Sequence, residues 1–138
     1  SVAVEWLLAH PKNRAIGVER DPVRAARAQS NIAAFCPGAG DVLVGESLAH
    51  IAALPDPDAV FVGGGFDHAL LDALWARLPV GCRLVVHGVT LETESLLAKA
   101  QNRFGGSLLR IELSEAAPLG RLRGWKASYP VVQWQVVR

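Results

Sequence analysis

The chain has 138 residues, 51% of them hydrophobic, which suffices for one sizeable core and places it in the size range of a single domain. Its formal net charge of +1 excludes a global electrostatic argument for a nucleic-acid or membrane partner. Cys36 and Cys82 are too few for a disulfide framework and lack the paired spacing of a zinc site, and no apolar run has the length of a membrane span or signal peptide. The expectation is a cytoplasmic protein with no metal, no nucleic acid and no membrane partner.

Residues 1–10 read as a helix with no strand before it. An open α/β nucleotide-binding domain normally begins with a strand and a glycine-rich turn, and Ser1 stands where the first residue after such a turn would. The first strand and most of the glycine loop are therefore expected to be absent from this chain. Short runs rich in Val, Ile and Leu then alternate with stretches of helical spacing, the pattern of a mostly parallel α/β sheet. Strands are predicted at Ala15–Glu19, 41–44, 59–63 and Arg83–Gly88, each near-continuously apolar as strands buried on both faces must be.

Asp21 caps a predicted helix whose first position is Pro22, where a missing N–H costs nothing, and which runs through 23–35. Asp67 caps another over 68–78, with Leu70, Leu71, Leu74 and Leu78 on one side. Thr90 caps a third over Leu91–Phe104, ended by Gly105 and Gly106. Residues 107–115 and Val131–Val137 then read as strands with no helix between them, hence an antiparallel pair. Their connection, 116–130, is predicted to be a long loop carrying Arg121, Arg123, Trp125 and Lys126. Residues 118–138 hold four cations, these three and Arg138, and no Asp or Glu, so this end is expected to face an anion.

Among candidate site residues, Glu19 ends a strand where the ribose-binding acid of a nucleotide fold stands, although an acid there also suits the following helix dipole. Gly45, Glu46 and Ser47 follow the next strand; they offer adenine a backbone to lie against, or form an ordinary turn with Ser47 as cap. Gly63, Gly64 and Gly65 end a buried strand and permit close approach of a ligand to the backbone, or a tight turn. His10, His50, His68 and His87 form no motif; His87, near a strand end, is the least bland.

The stretches Ala15-Ile16-Gly17-Val18-Glu19-Arg20-Asp21-Pro22, Ala59-Val60-Phe61-Val62-Gly63-Gly64-Gly65 and Val89-Thr90-Leu91-Glu92-Thr93-Glu94 resemble the class I methyltransferases, specifically the decarboxylating precorrin methyltransferases of corrin (vitamin B12) biosynthesis. Pro118-Leu119-Gly120-Arg121-Leu122-Arg123-Gly124-Trp125 and Pro130-Val131-Val132-Gln133-Trp134 are similar to the same family, and the likeness covers essentially the whole chain. The resemblance implies a Rossmann-like sheet with a C-terminal antiparallel strand pair, and S-adenosylmethionine as cofactor, released as S-adenosylhomocysteine. It places Glu19 at the adenosyl ribose and Glu46 and Ser47 at adenine, with Gly63 and Gly64 as further cofactor contacts. The family's glycine-rich first motif maps onto no residues here.

The implied reaction is methylation of a precorrin, a reduced tetrapyrrole, at carbon 15 with loss of carbon dioxide from the ring C acetate. Arg121, Arg123 and Lys126 would clamp substrate carboxylates and Trp125 would lie against the macrocycle, with Gly65, Thr90 and Glu92 as further substrate contacts. No proton-transfer residue is assigned. The resemblance also implies a homo-oligomer such as a tetramer, and fusion upstream to a second methyltransferase domain. Three other readings stay open at this point. One is a nicotinamide-dependent oxidoreductase, with Ala3 as the third small residue of a dinucleotide fingerprint. The second is a methyltransferase acting on RNA, and the third a non-catalytic oligomerisation module.

Overall fold

In the computed structural model, which describes residues Ser1–Arg138, the alternating segments resolve into two units, Ser1–Leu54 and Pro55–Arg138. The first unit pairs β1 (Ala15–Glu19) with β2 (Gly40–Val44) in parallel, from Ala15 opposite Gly40 to Glu19 opposite Val44. Helix α1 (Val2–Ala9) buries Val4 and Leu7 against Ile32 of α2 (Pro22–Phe35), with Ala15 and Val42 of the strands packed around them. Asp21 caps α2 as expected: its carboxylate accepts the N–H groups of Val23 and Arg24 at 2.8 and 3.0 Å. From the same helix Gln29 accepts the Val42 N–H at 2.8 Å and donates to the Gly40 carbonyl at 3.4 Å, so a side chain satisfies backbone groups of β2. A short helix α3 (Ser47–His50) follows β2.

The second unit holds a four-stranded sheet in the order β3 (Ala59–Val62), β4 (Arg83–Gly88), β8 (Val131–Val137), β5 (Ser107–Ile111). β3 and β4 are parallel, as buried Val-rich runs joined by a helix must be, and β8 runs antiparallel to both β4 and β5. The expected C-terminal antiparallel pair is thus present, with β8 inserted between β4 and β5. Helix α4 (His68–Arg77) buries Leu70, Leu71 and Leu74, and α5 (Leu91–Phe104) buries Leu96, Leu97 and Ala100. One sheet face, Leu84 and Val86 of β4 with Val132, Trp134 and Val136 of β8, lies in this core. Trp134 is fully enclosed and its indole N–H donates to the Gly105 carbonyl at 3.0 Å, so the one polar atom of the largest core side chain has a partner.

The predicted 116–130 loop is not a loop. The strand expected over 107–115 stops at Ile111, and β6 (Ser114–Leu119) pairs antiparallel with β7 (Leu122–Ala127) as a hairpin. Leu119 faces Leu122 across a two-residue turn of Gly120 and Arg121. Gly120 has φ 61° and no non-glycine residue has positive φ, which is the type II′ arrangement whose twist matches the strands. The hairpin is a sheet of its own, paired to no third strand. No helix is long and apolar enough to cross a membrane, and no group of three or more His, Cys, Asp and Glu side chains could hold a metal ion.

Candidate active site

In the first unit the carboxyl ends of β1 and β2 stand side by side, the Gly45 N–H donating to the Glu19 carbonyl at 3.0 Å. This brings Glu19 and the turn at Gly45, Glu46 and Ser47 together. The Glu19 carboxylate is a third exposed and is held by one oxygen: Oε1 accepts the Asp21 N–H at 2.9 Å and lies 3.4 Å from Nη2 of Arg24. Arg24 also reaches Asp21, 3.7 Å away, so one guanidinium steadies both acids. Oε2 is left as a charged acceptor at the strand end, where open α/β sheets take their ligands. The Asp21 carboxyl is held below its usual range, first by the Arg24 backbone N–H and then by that of Val23.

Glu46 pairs with Arg20 at 3.6 Å, both side chains mostly exposed, an interaction worth little in water. Ser47 does not cap α3, contrary to its alternative reading as a cap. Glu46 occupies the capping position without a side-chain hydrogen bond, and Ser47 is the first helical residue. His50 places Nε2 3.2 Å from the Val44 carbonyl, a structural contact under the same turn.

In the second unit Val62 stands opposite Val86, so the ends of β3 and β4 are level. Gly63, Gly64 and Gly65 follow β3. Gly65 has φ 69°, a turn conformation that explains itself, whereas a side chain at Gly64 would meet nothing within 4 Å. Neither packing nor a positive φ demands a glycine at 64, as expected if its bareness serves a ligand. Thr90 is committed to capping α5: Oγ1 accepts the Thr93 N–H at 3.2 Å and its hydroxyl donates to Thr93 Oγ1 at 3.0 Å. Glu92 is exposed in the first turn of that helix.

The expected basic cluster is divided by the hairpin. Arg123 and Trp125 alternate onto one face, opposite Pro118 and Ala116, while Lys126 lies on the other face, directly opposite Glu115. The cause is the period-two geometry of a strand, which a loop reading ignores. Arg121 sits at the turn, and Trp125 is 80% exposed. Arg138 is withdrawn from the group: its Nε donates to the Trp75 carbonyl at 2.9 Å and its guanidinium lies 4.9 Å from the centre of that indole. Arg121, Arg123 and Lys126 take part in no ion pair.

Residues 1–138, the full chain, match the family described as "Precorrin methyltransferase domain". The chain belongs to that family. A "Precorrin-6Y C(5,15)-methyltransferase [decarboxylating]" of Sinorhizobium sp is 42% identical over 135 residues, covering 97% of this chain and 33% of the relative. A "Cobalt-precorrin-6B C(15)-methyltransferase (decarboxylating)" of Salmonella typhimurium is 32% identical over 136 residues, covering 95% of this chain and 70% of the relative. The crystal structure of the C-terminal domain of precorrin-6Y C5,15-methyltransferase from Rhodobacter capsulatus superposes with a TM-score of 0.95 at 46% identity, covering 100% of this chain and 74% of that one. The chain spans about a third of the length of the C(5,15) relatives. As a member of the precorrin methyltransferase family it has the class I methyltransferase fold, the architecture expected from its sequence.

Two features of the family member's second unit escaped the sequence reading. Leu119-Gly120-Arg121-Leu122 is a two-residue hairpin signal that a Gly-X search would have found. The other is a polar pair, Nε2 of His87 against Oε1 of Gln133 at 2.9 Å, for which a separation of 46 positions leaves no local signal.

Proposed function

We propose that this chain is the methyltransferase domain of a cytoplasmic enzyme that transfers a methyl group from S-adenosylmethionine to carbon 15 of a precorrin and decarboxylates the ring C acetate, releasing its carboxyl as carbon dioxide. The observation that carries it is the Glu19 carboxylate, anchored through Oε1 and open at Oε2, beside the turn after β2. Those residues fit an adenosyl group: Oε2 accepts ribose hydroxyls, and Glu46 and Ser47 border the adenine. Gly63 and Gly64 are assigned backbone contact with the same cofactor. When bound, the sulfonium supplies an already activated methyl group, so the protein's task is to align the accepting carbon and exclude water.

Arg121 and Arg123 bind carboxylates of the tetrapyrrole and Trp125 lies against its ring, supported by their exposure and freedom from ion pairs. Lys126, on the opposite hairpin face, serves a separate carboxylate; Gly65, Thr90 and Glu92 complete the substrate contacts. Decarboxylation requires the departing carboxylate to be desolvated while the conjugated ring takes up the electron pair. Residues 1–138 act as one methyltransferase domain of a larger protein, in keeping with the share of the relatives that they span. We further propose a homo-oligomer such as a tetramer, for which the exposed Leu119 and Leu122 of the unpartnered hairpin speak; sedimentation equilibrium on the full-length protein checks it.

Calorimetric titration of S-adenosylhomocysteine and NADH, separately, into the full-length protein tests the cofactor class, and turnover of a precorrin with detection of released carbon dioxide tests the reaction. Binding of NADH alone would overturn the proposal, and cofactor binding without turnover would leave only a binding module.

A further inference from the structure

Strand β2 is the outer strand of its two-stranded sheet, with β1 on one side only. Its last peptide group, between Val44 and Gly45, is nevertheless engaged on both sides. The Gly45 N–H donates inward to the Glu19 carbonyl at 3.0 Å, and the Val44 carbonyl, which a trans peptide turns the opposite way, accepts from Nε2 of His50 at 3.2 Å. A backbone carbonyl only accepts, so Nε2 is the donor whether the ring is neutral or charged. The half-buried imidazole is also seated against the turn: a Cβ at Gly45 would stand 2.5 Å from the same nitrogen. Helix α3 holds the histidine there, with the Ala49 N–H on the Glu46 carbonyl at 3.0 Å and the Ile51 N–H on that of Ser47.

This peptide joins the two halves of the proposed cofactor site. Toward β1 it is tied to Glu19, whose carboxylate is assigned to the ribose; along the chain it leads straight into Glu46 and Ser47, assigned to the adenine. Rotation of the peptide would swing that turn relative to Glu19. The bond from His50 opposes such rotation from the open edge of the sheet, where no third strand does so. We infer that His50 is a positioning residue for adenine recognition, setting the place of Glu46 and Ser47 through the Val44–Gly45 peptide without touching the cofactor itself. This rests on the S-adenosylmethionine reading above and deepens it.

The test compares His50→Ala, His50→Gln and His50→Asn in the full-length protein, by calorimetric titration of S-adenosylhomocysteine and of S-inosylhomocysteine. The two ligands share ribose and homocysteine and differ only at the purine edge, where the inosyl compound carries a carbonyl in place of the amino group and a proton on N1. His50→Ala is expected to weaken S-adenosylhomocysteine binding about fivefold, the scale of one neutral hydrogen bond, and S-inosylhomocysteine binding less than about twofold, so that discrimination between the bases narrows. A glutamine amide nitrogen reaches about as far as Nε2 and should restore both affinity and discrimination; the shorter asparagine should not. Should the alanine variant fail to fold, or the inosyl compound bind too weakly to measure, the Gln and Asn variants decide alone through S-adenosylhomocysteine. An indifferent alanine variant, an equal loss for both ligands, or equal S-adenosylhomocysteine affinities for Gln and Asn would overturn the inference while the wild type still binds the cofactor product. A wild type that binds no S-adenosylhomocysteine would instead sink the cofactor reading, and the inference with it.

Discussion

Replacing Glu19 by alanine isolates the contribution of one carboxylate oxygen to cofactor binding. In the free protein Oε1 is already engaged by the Asp21 N–H at 2.9 Å and by Arg24 at 3.4 Å, so the ligand's share falls to Oε2. A hydrogen bond to a charged group contributes about 1.5 to 3 kcal/mol. At about 1.4 kcal/mol per decade, Glu19→Ala is expected to weaken S-adenosylhomocysteine binding roughly 10- to 150-fold. Glu19→Gln keeps an acceptor for the Asp21 N–H but loses the charge, and should fall between wild type and alanine. Arg24→Ala leaves the carboxylate in place and removes only a half-exposed pair, so a change of no more than about fivefold is expected. Calorimetry on the full-length protein, with melting temperatures to confirm folding, reads all three. An unchanged dissociation constant for Glu19→Ala would refute the ribose assignment, and a larger loss for Arg24→Ala than for Glu19→Ala would refute the division of labour between the two oxygens.

Arg121→Ala and Arg123→Ala should each raise the Michaelis constant for the precorrin and spare cofactor affinity; weaker cofactor binding would show the clamp assignment to be wrong. Trp134→Phe removes the indole N–H that satisfies the Gly105 carbonyl and leaves a small void, costing about 1 to 3 kcal/mol in denaturant unfolding. The Asp21 carboxyl titrates below its ordinary 3.8, so its capping contribution is complete above that value and is lost as pH falls through the lower folded value. Asp21→Asn should therefore flatten the acid limb of a stability profile below about pH 4. Burial, then the charge of Asp58, pushes the Cys82 thiol up, so thiol titration at neutral pH should find it slow and half-buried Cys36 faster; equal rates would contradict the burial of Cys82.

Local chemistry made most of the fold legible. Pro22 behind Asp21, Asp67 before its leucine row, and Thr90 before Leu91 each announced a helix start that hydrogen bonds now account for. The place of Glu19 at the end of β1 was legible from the apolar run that precedes it. What the sequence concealed was pairing between distant segments. Val131–Val137 gives no sign that it enters between β4 and β5, and the alternation of Arg123, Trp125 and Lys126 matters only once 122–127 is known to be a strand. Arg138 looked like part of an anion site because nothing local reveals that Trp75 lies beneath it.

The solitary hairpin of β6 and β7 has a thermodynamic consequence. A two-stranded ribbon without a third strand or helix against it is barely stable in water. Any ligand held by Arg121, Arg123 or Trp125 must meet the cost of ordering that ribbon, which is subtracted from the observed affinity. Affinity for any such ligand thus becomes adjustable through a residue that is assigned no contact with it: a stiffer turn at Gly120 tightens binding by cutting the entropy loss, and a looser one speeds release.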